Sequence, residues 1–417
     1  MKRVKSEWTM EKYKEYKDSG VQWLGEIPSH WKVVRGKYLL RIQTSSSKRN
    51  NKIGLENIEC FTGKYISTIT SFEGDGVDFD EGDIVYGKLR PYLCKVWLAE
   101  FAGNAVGDFW VYKVSEEYDK RYAKYIMLSH SFTDVCNAST YGAKMPRVSH
   151  LFIQSLLMPV PVLVEQRSIV SYLDTKCSLL DTLLSNKEKQ ISLLQEMKQR
   201  VIADAVTRGV NPNIKFKATN IPWLPEIPEH WEMSKVSSHF RQRNMKVSDK
   251  EYPALSVSKM GVTPQLDNVA LSNAEGNSRK LVKVGDYAVN SRSDRKGSCG
   301  VSQYEGSVSL ITIVLEPFDI DRGYVHYLFR SNPWIEEFYR NGRGIVADLW
   351  TTNYQMMKGM YLPVPPLSEQ RAIVSYITER TSKIDTLIEK LTKEIECVKE
   401  YKQRLISDVV TGQVKVC

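Results

Sequence analysis

The sequence contains one stretch in two near-copies, PVPVLVEQRSIVSYL at Pro159–Leu173 and PVPPLSEQRAIVSYI at Pro363–Ile377. When each copy is extended by its preceding residue, eleven of sixteen positions are identical at a constant offset of 204 residues. The same offset continues into KQRVIADAVTRG (Lys198–Gly209) and KQRLISDVVTGQ (Lys402–Gln413), with seven identities in twelve. An internal repeat constrains the architecture more than any single motif does, so we interpret the chain as two half-copies.

A second repeated block lies earlier in each half-copy. It reads WLGEIPSHW at Trp23–Trp31 and WLPEIPEHW at Trp223–Trp231, an offset of 200 residues. The segments between the matched blocks hardly match, apart from traces such as the Gly-Asp turn shared by Glu81–Pro91 and Val284–Asp294. Drift after an old duplication is one explanation. Because the flanks are retained so selectively, we favour another, in which the flanks do one job twice while the middles recognise different things.

The two late blocks lead into long helical arms. Glu165–Arg208 contains neither Pro nor Gly over 44 residues. Its apolar residues recur with heptad a and d spacing, at Leu173, Cys177, Leu180, Leu184, Ile191, Leu194, Val201 and Ala205, interrupted by Lys187 and Lys198. The second arm repeats the pattern, at Ile377, Ile384, Ile388, Leu391, Ile395, Val398, Leu405 and Val409, interrupted by Lys402. Each arm predicts a helix of about 65 Å at 1.5 Å per residue.

A single apolar stripe on so long a helix needs a partner. We predict that the two arms pack against each other as an antiparallel coiled coil; ordinary bundle helices, or coils that pair with another protein, are the alternatives. The expected fold class is α+β, with two mixed α/β globular domains separated by two long antiparallel coiled-coil helices and related by a pseudo-two-fold internal repeat. The predicted segments are 1–157 (N-terminal segment and first globular domain), 158–215 (first helical region), 216–361 (second globular domain) and 362–417 (second helical region).

The globular middles predict mostly strands, because apolar and polar residues alternate between Gly-bounded turns. Basic, amide and aromatic residues are interleaved in their loops, several of them after the shared Gly-Asp turn. Such residues neutralise phosphates and grip base edges in duplex DNA. The candidate DNA-binding residues are Lys48, Arg49, Lys88, Arg90, Tyr92, Lys95, Lys144 and Arg147 in the first copy, and Arg241, Arg243, Lys259, Asn290, Arg292, Arg295, Lys296 and Arg343 in the second.

Composition and missing motifs exclude several classes. Lys plus Arg exceeds Asp plus Glu by 58 to 49, a basic surplus that permits a polyanionic partner without requiring one. The start of the chain lacks the apolar segment of a signal peptide, and no stretch is apolar enough to span a membrane, so we expect a cytoplasmic protein. Scattered cysteines and histidines predict no metal site. With no P-loop, methyltransferase or nuclease motif, we expect no catalytic residues.

Together the repeated EIPSHW/EIPEHW blocks, the GDIVYGKLRPYLCK stretch and the duplicated Pro-x-Pro, Glu-Gln-Arg and long-helix combination resemble the specificity subunit of type I restriction-modification systems. The resemblance covers nearly the whole chain. It implies that each middle is a target recognition domain reading one half of a bipartite, asymmetric DNA site. It also implies that the two helices fix the number of unread base pairs between the halves.

The same resemblance implies the partners. Two methyltransferase (modification) subunits carrying S-adenosylmethionine would dock on the helical regions, and restriction subunits would supply ATP- and Mg-dependent translocation and cleavage. This chain would then hold no cofactor and catalyse nothing itself. The residues expected to serve docking and the spacer lie at the start of each arm: Glu165, Gln166, Arg167, Tyr172, Glu369, Gln370, Arg371 and Tyr376.

Two features qualify the comparison. The first copy has Gly87-Lys88-Leu89-Arg90-Pro91 where the second has Asn290-Ser291-Arg292, so the base-reading loop does not carry over residue by residue. The chain also ends without a third WLxEIP block, and a circular organisation, in which the N-terminal block completes the C-terminal tail, would explain this. The alternative function is a coiled-coil interaction or inhibitor protein that reads no DNA sequence; a free-standing nuclease or methyltransferase is a third.

Overall fold

The computed structural model describes residues 11–47, 49–265, 278–344 and 350–416. The chain divides into two compact units. The first comprises Met1–Glu188 with Lys393–Cys417, and the second comprises Lys189–Thr392. This division cuts both long helices near their middles, whereas the segments predicted from sequence separate the helices from the globular domains.

The first unit contains short strands, short helices and most of the first long helix. Its strands are β1 (Tyr16–Asp18), β2 (Glu26–Pro28), β3 (Lys32–Arg35), β4 (Leu40–Gln43), β5 (Lys52–Ile53), β6 (Gly76–Phe79), β7 (Ile84–Gly87), β8 (Val96–Leu98), β9 (Gly103–Val106), β10 (Phe109–Val114) and β11 (Leu157–Val160). Its helices are α1 (Gly36–Leu39), α2 (Lys120–Leu128), α3 (His130–Ala138), α4 (His150–Ser155) and α5 (Leu163–Arg208), the last continuing into the second unit. Short 3-10 helices occupy Leu55–Asn57 and Pro91–Leu93.

The second unit follows the same plan. Its strands are β12 (Phe216–Ile221), β13 (Leu224–Pro228), β14 (Glu232–Lys235), β15 (Phe240–Gln242), β16 (Lys246–Val247), β17 (Leu255–Ser258), β18 (Gly261–Pro264), β19 (Arg279–Val282), β20 (Tyr287–Asn290), β21 (Cys299–Val301), β22 (Gly306–Ser309), β23 (Thr312–Pro317) and β24 (Tyr361–Val364). Its helices are α6 (Arg322–Phe329), α7 (Asn332–Arg340), α8 (Tyr354–Met357) and α9 (Leu367–Val410), with 3-10 helices at Val236–Ser238 and Ser293–Arg295.

Both units contain an antiparallel four-stranded sheet of the same order, β4-β10-β7-β8 in the first and β15-β23-β20-β21 in the second. A smaller sheet differs between them. Its shared pair is β6 with β9, corresponding to β19 with β22, but the third strand differs in position and direction: β5 runs parallel to β9, whereas β16 runs antiparallel to β19. This rearrangement is one physical reason why the two middles do not align in sequence.

The repeated blocks contact each other within each unit. The Met-Pro-Val segment that precedes the Glu-Gln-Arg motif forms β11, which pairs with β3 directly after the His-Trp dipeptide; β24 and β14 pair in the same way in the second unit. The tryptophans that end the early blocks, Trp31 and Trp231, are fully buried. The matched sequence therefore builds one frame twice.

The two long helices run antiparallel against each other. In the first unit Lys187 on α5 pairs with Glu394 on α9 at 2.5 Å, while the earlier Asp181 pairs with the later Lys402 at 2.5 Å. All the predicted a and d positions of both arms are buried or half-buried, including the interrupting lysines. The structure thereby confirms the predicted pairing and the α+β fold class.

The C-terminal tail closes on the N-terminal block, as the circular organisation predicts. In the first unit the Tyr16 hydroxyl donates to the carbonyl of Gly412 at 3.1 Å, and Gly412 packs against Pro28 and Trp31. In the second unit Gly209 packs against Trp231 in the corresponding way. Both glycines have φ near +78° (+78° for Gly412 and +77° for Gly209), a left-handed conformation that glycine adopts without strain and that ends helices.

Candidate nucleic-acid interface

In the first unit, the loop that follows β7 is held in a strained conformation by a second segment. Arg90 and Cys94, which flank its 3-10 helix, have φ of +51° and +45°, sparsely populated for residues with a side chain. The Arg90 amide donates to the carbonyl of Pro146 at 2.7 Å, and the Val148 amide donates to that of Lys88 at 3.1 Å. Backbone strain of this kind is often maintained at functional sites, so the paired segments 88–95 and 141–148 form our first candidate surface.

The second unit repeats this backbone arrangement in its divergent middle. The Ser293 amide donates to the carbonyl of Trp350 at 2.8 Å, and the Thr352 amide donates to that of Ser291 at 3.0 Å. The bridge between Leu89 and Arg147 in the first unit corresponds to the bridge between Arg292 and Thr351 in the second. Segments 290–296 and 343–352, of which 345–349 lie outside the described residues, therefore give the second candidate surface.

Three predicted residues of the first surface are exposed to solvent. Arg90 and Lys144 are exposed, and the side chain of Tyr92 is 46% exposed. Tyr141 and Met145 are 58% and 49% exposed beside them, and sequence reasoning missed both. The surface thus combines exposed cations with exposed aromatic and thioether side chains, the composition expected where phosphates and bases are contacted.

Two further predicted cations of this surface share one carboxylate. Arg147 donates from Nε and Nη2 to the two oxygens of Asp108, both at 2.9 Å, and Lys88 lies 3.8 Å from Asp108 and 4.3 Å from the ring centre of Trp110. The hydrogen bonds from Arg147 hold the pKa of the Asp108 carboxyl below its usual value. Asp108 is therefore an organising residue that the sequence analysis did not single out.

Two predicted DNA contacts in the first unit also bind groups within the chain. The ammonium of Lys95 donates to the carbonyls of Leu55 and Ile58 at 2.7 and 2.8 Å. Arg49 donates to the carbonyl of Phe79 at 2.6 Å and to Asp80 at 2.9 Å. These contacts engage two of the three ammonium hydrogens of Lys95 and Nη1 of Arg49 within the chain; both residues otherwise stay predictions. Lys48 lies outside the described residues.

In the second unit the predicted cations are paired with acidic residues. Arg292 donates from Nε and Nη2 to Asp294 at 2.9 and 3.0 Å, and Arg295 lies 3.7 Å from the same carboxylate. Lys296 pairs with Glu336 at 2.9 Å. The second candidate surface therefore carries less unpaired positive charge than the first, and it does so through carboxylates that the basic sequence pattern does not reveal.

The other predicted residues of the second unit divide by burial. Arg243 forms a half-buried ion pair with Asp286 at 2.6 Å and reaches Glu316 at 3.2 Å, so its role is structural; the hydrogen bond to Asp286 raises the pKa of its guanidinium. The side-chain oxygen of Asn290 accepts from the Arg292 amide at 3.2 Å. Three of these other residues are exposed: Arg241, Lys259 and Arg343. The guanidinium of Arg241 lies over the ring of Phe318.

The Glu-Gln-Arg motif fixes each frame. Glu165 accepts from Trp31 Nε1 at 3.0 Å and from the Tyr13 hydroxyl at 2.8 Å, and it lies 3.0 Å from His30 Nε2. The buried Gln166 accepts from the Asp119 amide at 2.7 Å, and Asp119 caps α2.

The second copy repeats the histidine and helix-cap contacts, whereas Nε1 of the buried Trp231 has no hydrogen-bond partner among the described residues. Glu369 lies 2.7 Å from His230, and Gln370 accepts from the amide of Asp321, the cap of α6, at 2.7 Å. Among the residues predicted to dock partner subunits, the glutamates and glutamines are therefore used within the chain. The side chains of Arg167 and Arg371 are exposed, while Tyr172 and Tyr376 are half-buried.

Within the residues that the structure describes, no group of three or more His, Cys, Asp or Glu side chains is placed to hold a metal ion.

None of the helices in the described part of the chain is long and apolar enough to cross a membrane.

Comparison with curated proteins gives relatives of one kind. The chain is 29% identical to the type I restriction enzyme EcoDI specificity subunit of Escherichia coli, over 44% of this chain and 43% of that protein, so this match spans less than half of the relative. It is 24% identical to the putative type I restriction enzyme MjaX specificity subunit of Methanocaldococcus jannaschii, over 94% of this chain and 96% of that protein. No protein-family profile matches the sequence.

Solved structures show the same fold. A chain from a structural study of complex assembly and conformational transition in the type I R-M system superposes with a TM-score of 0.69 at 16% identity, covering 92% of this chain and 98% of that one. The HsdS subunit from Thermoanaerobacter tengcongensis superposes with a TM-score of 0.51 at 16% identity, covering 93% and 98%. The two curated relatives named above are specificity subunits, in agreement with the expectation of a non-catalytic chain.

Proposed function

We propose that this chain, which belongs to the specificity subunits of type I restriction-modification systems, reads a bipartite, asymmetric DNA sequence on behalf of such a complex. One observation carries the proposal: corresponding elements and several corresponding contacts build the frame twice, while the loops on it differ. The Tyr122 hydroxyl donates to the carbonyl of Val410, and the Tyr324 hydroxyl donates to that of Val206, at 2.9 and 3.1 Å. Equal frames with unlike surfaces are what an asymmetric two-part target requires.

The exposed cations would bind phosphates, and the groups fixed by the loops would read bases. The first surface, with Arg90 and Lys144 unpaired by any carboxylate described above, supplies more phosphate attraction than the second. The antiparallel arms would set the number of base pairs left unread between the half-sites. A helix of 46 residues is about 69 Å long at 1.5 Å per residue, close to two turns of duplex at about 34–36 Å each.

The methylation and cleavage chemistry would belong to other subunits. We propose that modification subunits, which would carry S-adenosylmethionine, dock on the helical regions, and that restriction subunits supply ATP- and Mg-dependent translocation. The exposed arginines Arg167 and Arg371 remain candidates for docking. Apolar side chains that lie outside the coiled-coil seam of α5 support a partner there, because such residues on a helix surface indicate an interaction face: Leu179, Leu183, Leu193 and Met197 are 62%, 41%, 54% and 54% exposed.

The test is selection from a random-sequence duplex library by the full chain co-expressed with the modification subunit of its system. We expect enrichment of two unlike half-sites separated by an invariant number of unspecified base pairs. Sequence-blind binding would contradict the proposal. An absence of any duplex binding, combined with stable association to other proteins, would instead support the coiled-coil interaction protein considered from sequence.

A further inference from the structure

In each candidate surface an aspartate binds one edge of an arginine guanidinium, the edge formed by Nε and Nη2. In the first, Arg147 uses Nε and Nη2 to bind the two oxygens of Asp108, both at 2.9 Å. In the second, Arg292 uses the same two nitrogens to bind Asp294 at 2.9 and 3.0 Å. The two guanidinium groups therefore have one geometry, although the two middles share almost no sequence.

The two arginines come from opposite strands of the same bridge. Arg147 bridges to Leu89 in the first unit, and Arg292 bridges to Thr351 in the second. In chain position Leu89 corresponds to Arg292, 203 residues later, and Arg147 corresponds to Thr351, 204 residues later. The corresponding bridge thus contains an arginine in both units. Because the arginine lies on opposite strands of that bridge, an alignment of the two half-copies does not match one arginine with the other.

Both pairs are open to solvent, unlike a third pair of the same geometry. The side chains of Arg147 and Arg292 are 32% and 43% exposed. Arg243 grips Asp286 through the same nitrogens but is only 18% exposed, and Glu316 lies against its Nη2. The outer edge of Arg243 is therefore occupied. Among the residues that the structure describes, the guanidinium of Arg292 makes no hydrogen bond besides those to Asp294, and that of Arg147 makes one further long contact, from Nη1 to the Met145 carbonyl at 3.4 Å.

The free edge of each guanidinium matches guanine. An arginine has five N–H donors in a planar fork, and a side-on aspartate engages Nε and one hydrogen of Nη2. The remaining edge presents parallel N–H groups from Nη1 and Nη2. In the major groove guanine offers two acceptors, O6 and N7, while adenine offers an acceptor beside an N–H donor. The fixed fork therefore favours guanine, and the adenine amino group opposes it.

The aspartates also direct the arginines toward bases instead of phosphates. Part of each arginine's charge is compensated by an aspartate that also faces a second cation, Lys88 or Arg295. The carboxylate repels a phosphate that approaches the arginine, so the phosphate gains less there than at an unpaired cation. A base edge carries no net charge and depends on donor geometry, which the aspartate holds fixed before binding.

We propose that Arg147 reads a guanine in the first half-site and Arg292 reads one in the second, with Asp108 and Asp294 as positioning residues. The proposal rests on the function proposed above and names the base at one position of each half. Arg90 and Lys144, for which the described residues provide no aspartate partner, then bind the DNA backbone beside the guanine read by Arg147.

The experiment compares the full chain with Arg147→Lys, Asp108→Asn and Arg292→Lys, each co-expressed with the modification subunit and subjected to library selection. Arg147→Lys keeps the charge and loses the fork, so the preference for guanine at one position of the first half-site should fall about 10- to 100-fold. Asp108→Asn should weaken the same position and no other, because it releases the same arginine. Arg292→Lys should affect one guanine of the second half-site only.

The unaffected half-site in each selection shows that the variant is folded. Arg121→Lys is the matched control, since Arg121 also pairs with an aspartate, Asp174, but belongs to α2 and to neither of the segments that define the candidate surfaces; it should leave the motif unchanged. A second measurement uses the unmodified chain: replacing the identified guanine with 7-deazaguanine, which lacks the N7 acceptor, should weaken binding by the wild type and not by Arg147→Lys.

The outcomes separate the two proposals. A bipartite motif whose guanines are all insensitive to Arg147→Lys and Arg292→Lys would overturn this inference and leave the proposed function standing. Wild-type protein that enriches no motif would overturn both.

Discussion

Lys198 on α5 lies 2.7 Å from both carboxylate oxygens of Asp385 on α9. Its counterpart 204 residues later, Lys402, pairs with Asp181, the counterpart of Asp385, at 2.5 Å. Each arm thus contributes one lysine from its apolar row and one aspartate beside it, and the same offset of 204 residues relates the members of the two pairs. A polar residue in a coiled-coil row defines register because sliding one helix along the other would separate it from its partner.

Removing the carboxylate of the more buried pair should destabilise the protein. The Lys402 side chain is 9% exposed and that of Asp181 27%, against 30% and 54% for Lys198 and Asp385. Asp181→Asn leaves a buried ammonium without its anion, and we expect a loss of about 1–3 kcal/mol in the free energy of unfolding. Asp385→Asn, the symmetric control, should cost less than about 0.5 kcal/mol. Urea unfolding at pH 7 measures both.

The same pair predicts the pH at which this difference disappears. Burial by itself would raise the pKa of the Asp181 carboxyl, but hydrogen bonds from Lys402 and Lys64 outweigh it and lower the pKa below 3.8. A lowered carboxyl pKa stabilises the folded state above the unfolded value and stops doing so as the pH falls through the folded value. The gap between wild type and Asp181→Asn should narrow progressively as the pH falls below about 4; a gap that keeps its full size in stronger acid, or equal effects of the two variants at pH 7, would contradict this role.

A histidine should make the second unit sensitive to mild acid. Burial, together with the nearby Arg330, lowers the pKa of His326 to about 4. Since the folded state favours the neutral ring, His326 contributes stability above pH 6.5 that is lost as the pH falls toward 4. The loss should reach at most about 3 kcal/mol. Between pH 6.5 and 4 the unfolding free energy of His326→Gln should therefore decline less steeply than that of the wild type. Near pH 8, where the histidine is neutral in both states, its titration should contribute no difference between the two proteins. An unchanged slope would count against the histidine.

The closure of the C-terminal tail onto the N-terminal block can be tested at Gly412. Its φ of +78° disfavours a side chain, and a Cβ there would meet Pro28. We expect Gly412→Ala to cost about 1–2 kcal/mol for the left-handed backbone and about 1–3 kcal/mol more for overpacking. Gly25→Ala is the control, because Gly25 has φ of +60° and no heavy atom within 4 Å of a Cβ, so only the backbone cost applies. Thermal unfolding that ranks the two equally would show that the closure contributes little.

Salt dependence should distinguish a phosphate contact from a structural cation. Lys144 is exposed, whereas Lys113 pairs with Asp80 at 2.9 Å. Lys144→Ala should weaken binding about equally for all sequences and reduce the slope of log affinity against log salt by about 0.9. Lys113→Ala should leave the slope unchanged. If both variants or neither changed the slope, the assignment of Lys144 to the DNA backbone would be wrong.

The frame could be predicted from sequence because it is repeated and periodic. The duplicated blocks located the strands and helices that meet around Trp31 and Trp231, and the heptads located the buried face of both arms. Lys198 and Lys402 were identified only as interruptions of that face. Their aspartate partners lie outside the apolar row. Heptad spacing within one helix does not show which carboxylate of the other helix lies opposite a given lysine.

The candidate surfaces were less predictable, since the sequence shows a cation but not its partner. Lys95 resembles a DNA contact in its loop, yet its ammonium is bound by carbonyls about forty residues earlier, at Leu55 and Ile58. Asp108 was missed because nothing local links it to Arg147, 39 residues later. Arg292 and Arg147 do not align in sequence, because the arginine lies on one strand of the bridge in the first unit and on the other strand in the second. Such pairings depend on sheet topology, which in the small sheets also differs between the units.

The central claim is that the two globular middles determine which bases are read, while the helical arms determine the number of base pairs between the two half-sites. Inserting one heptad into each arm, after Ser185 and after Glu396, preserves the a and d phase and lengthens the paired helices by about 10 Å. Library selection with this variant should give both half-sites unchanged and a spacer different in length from that of the wild type. Altered half-sites with the original spacer would contradict the account.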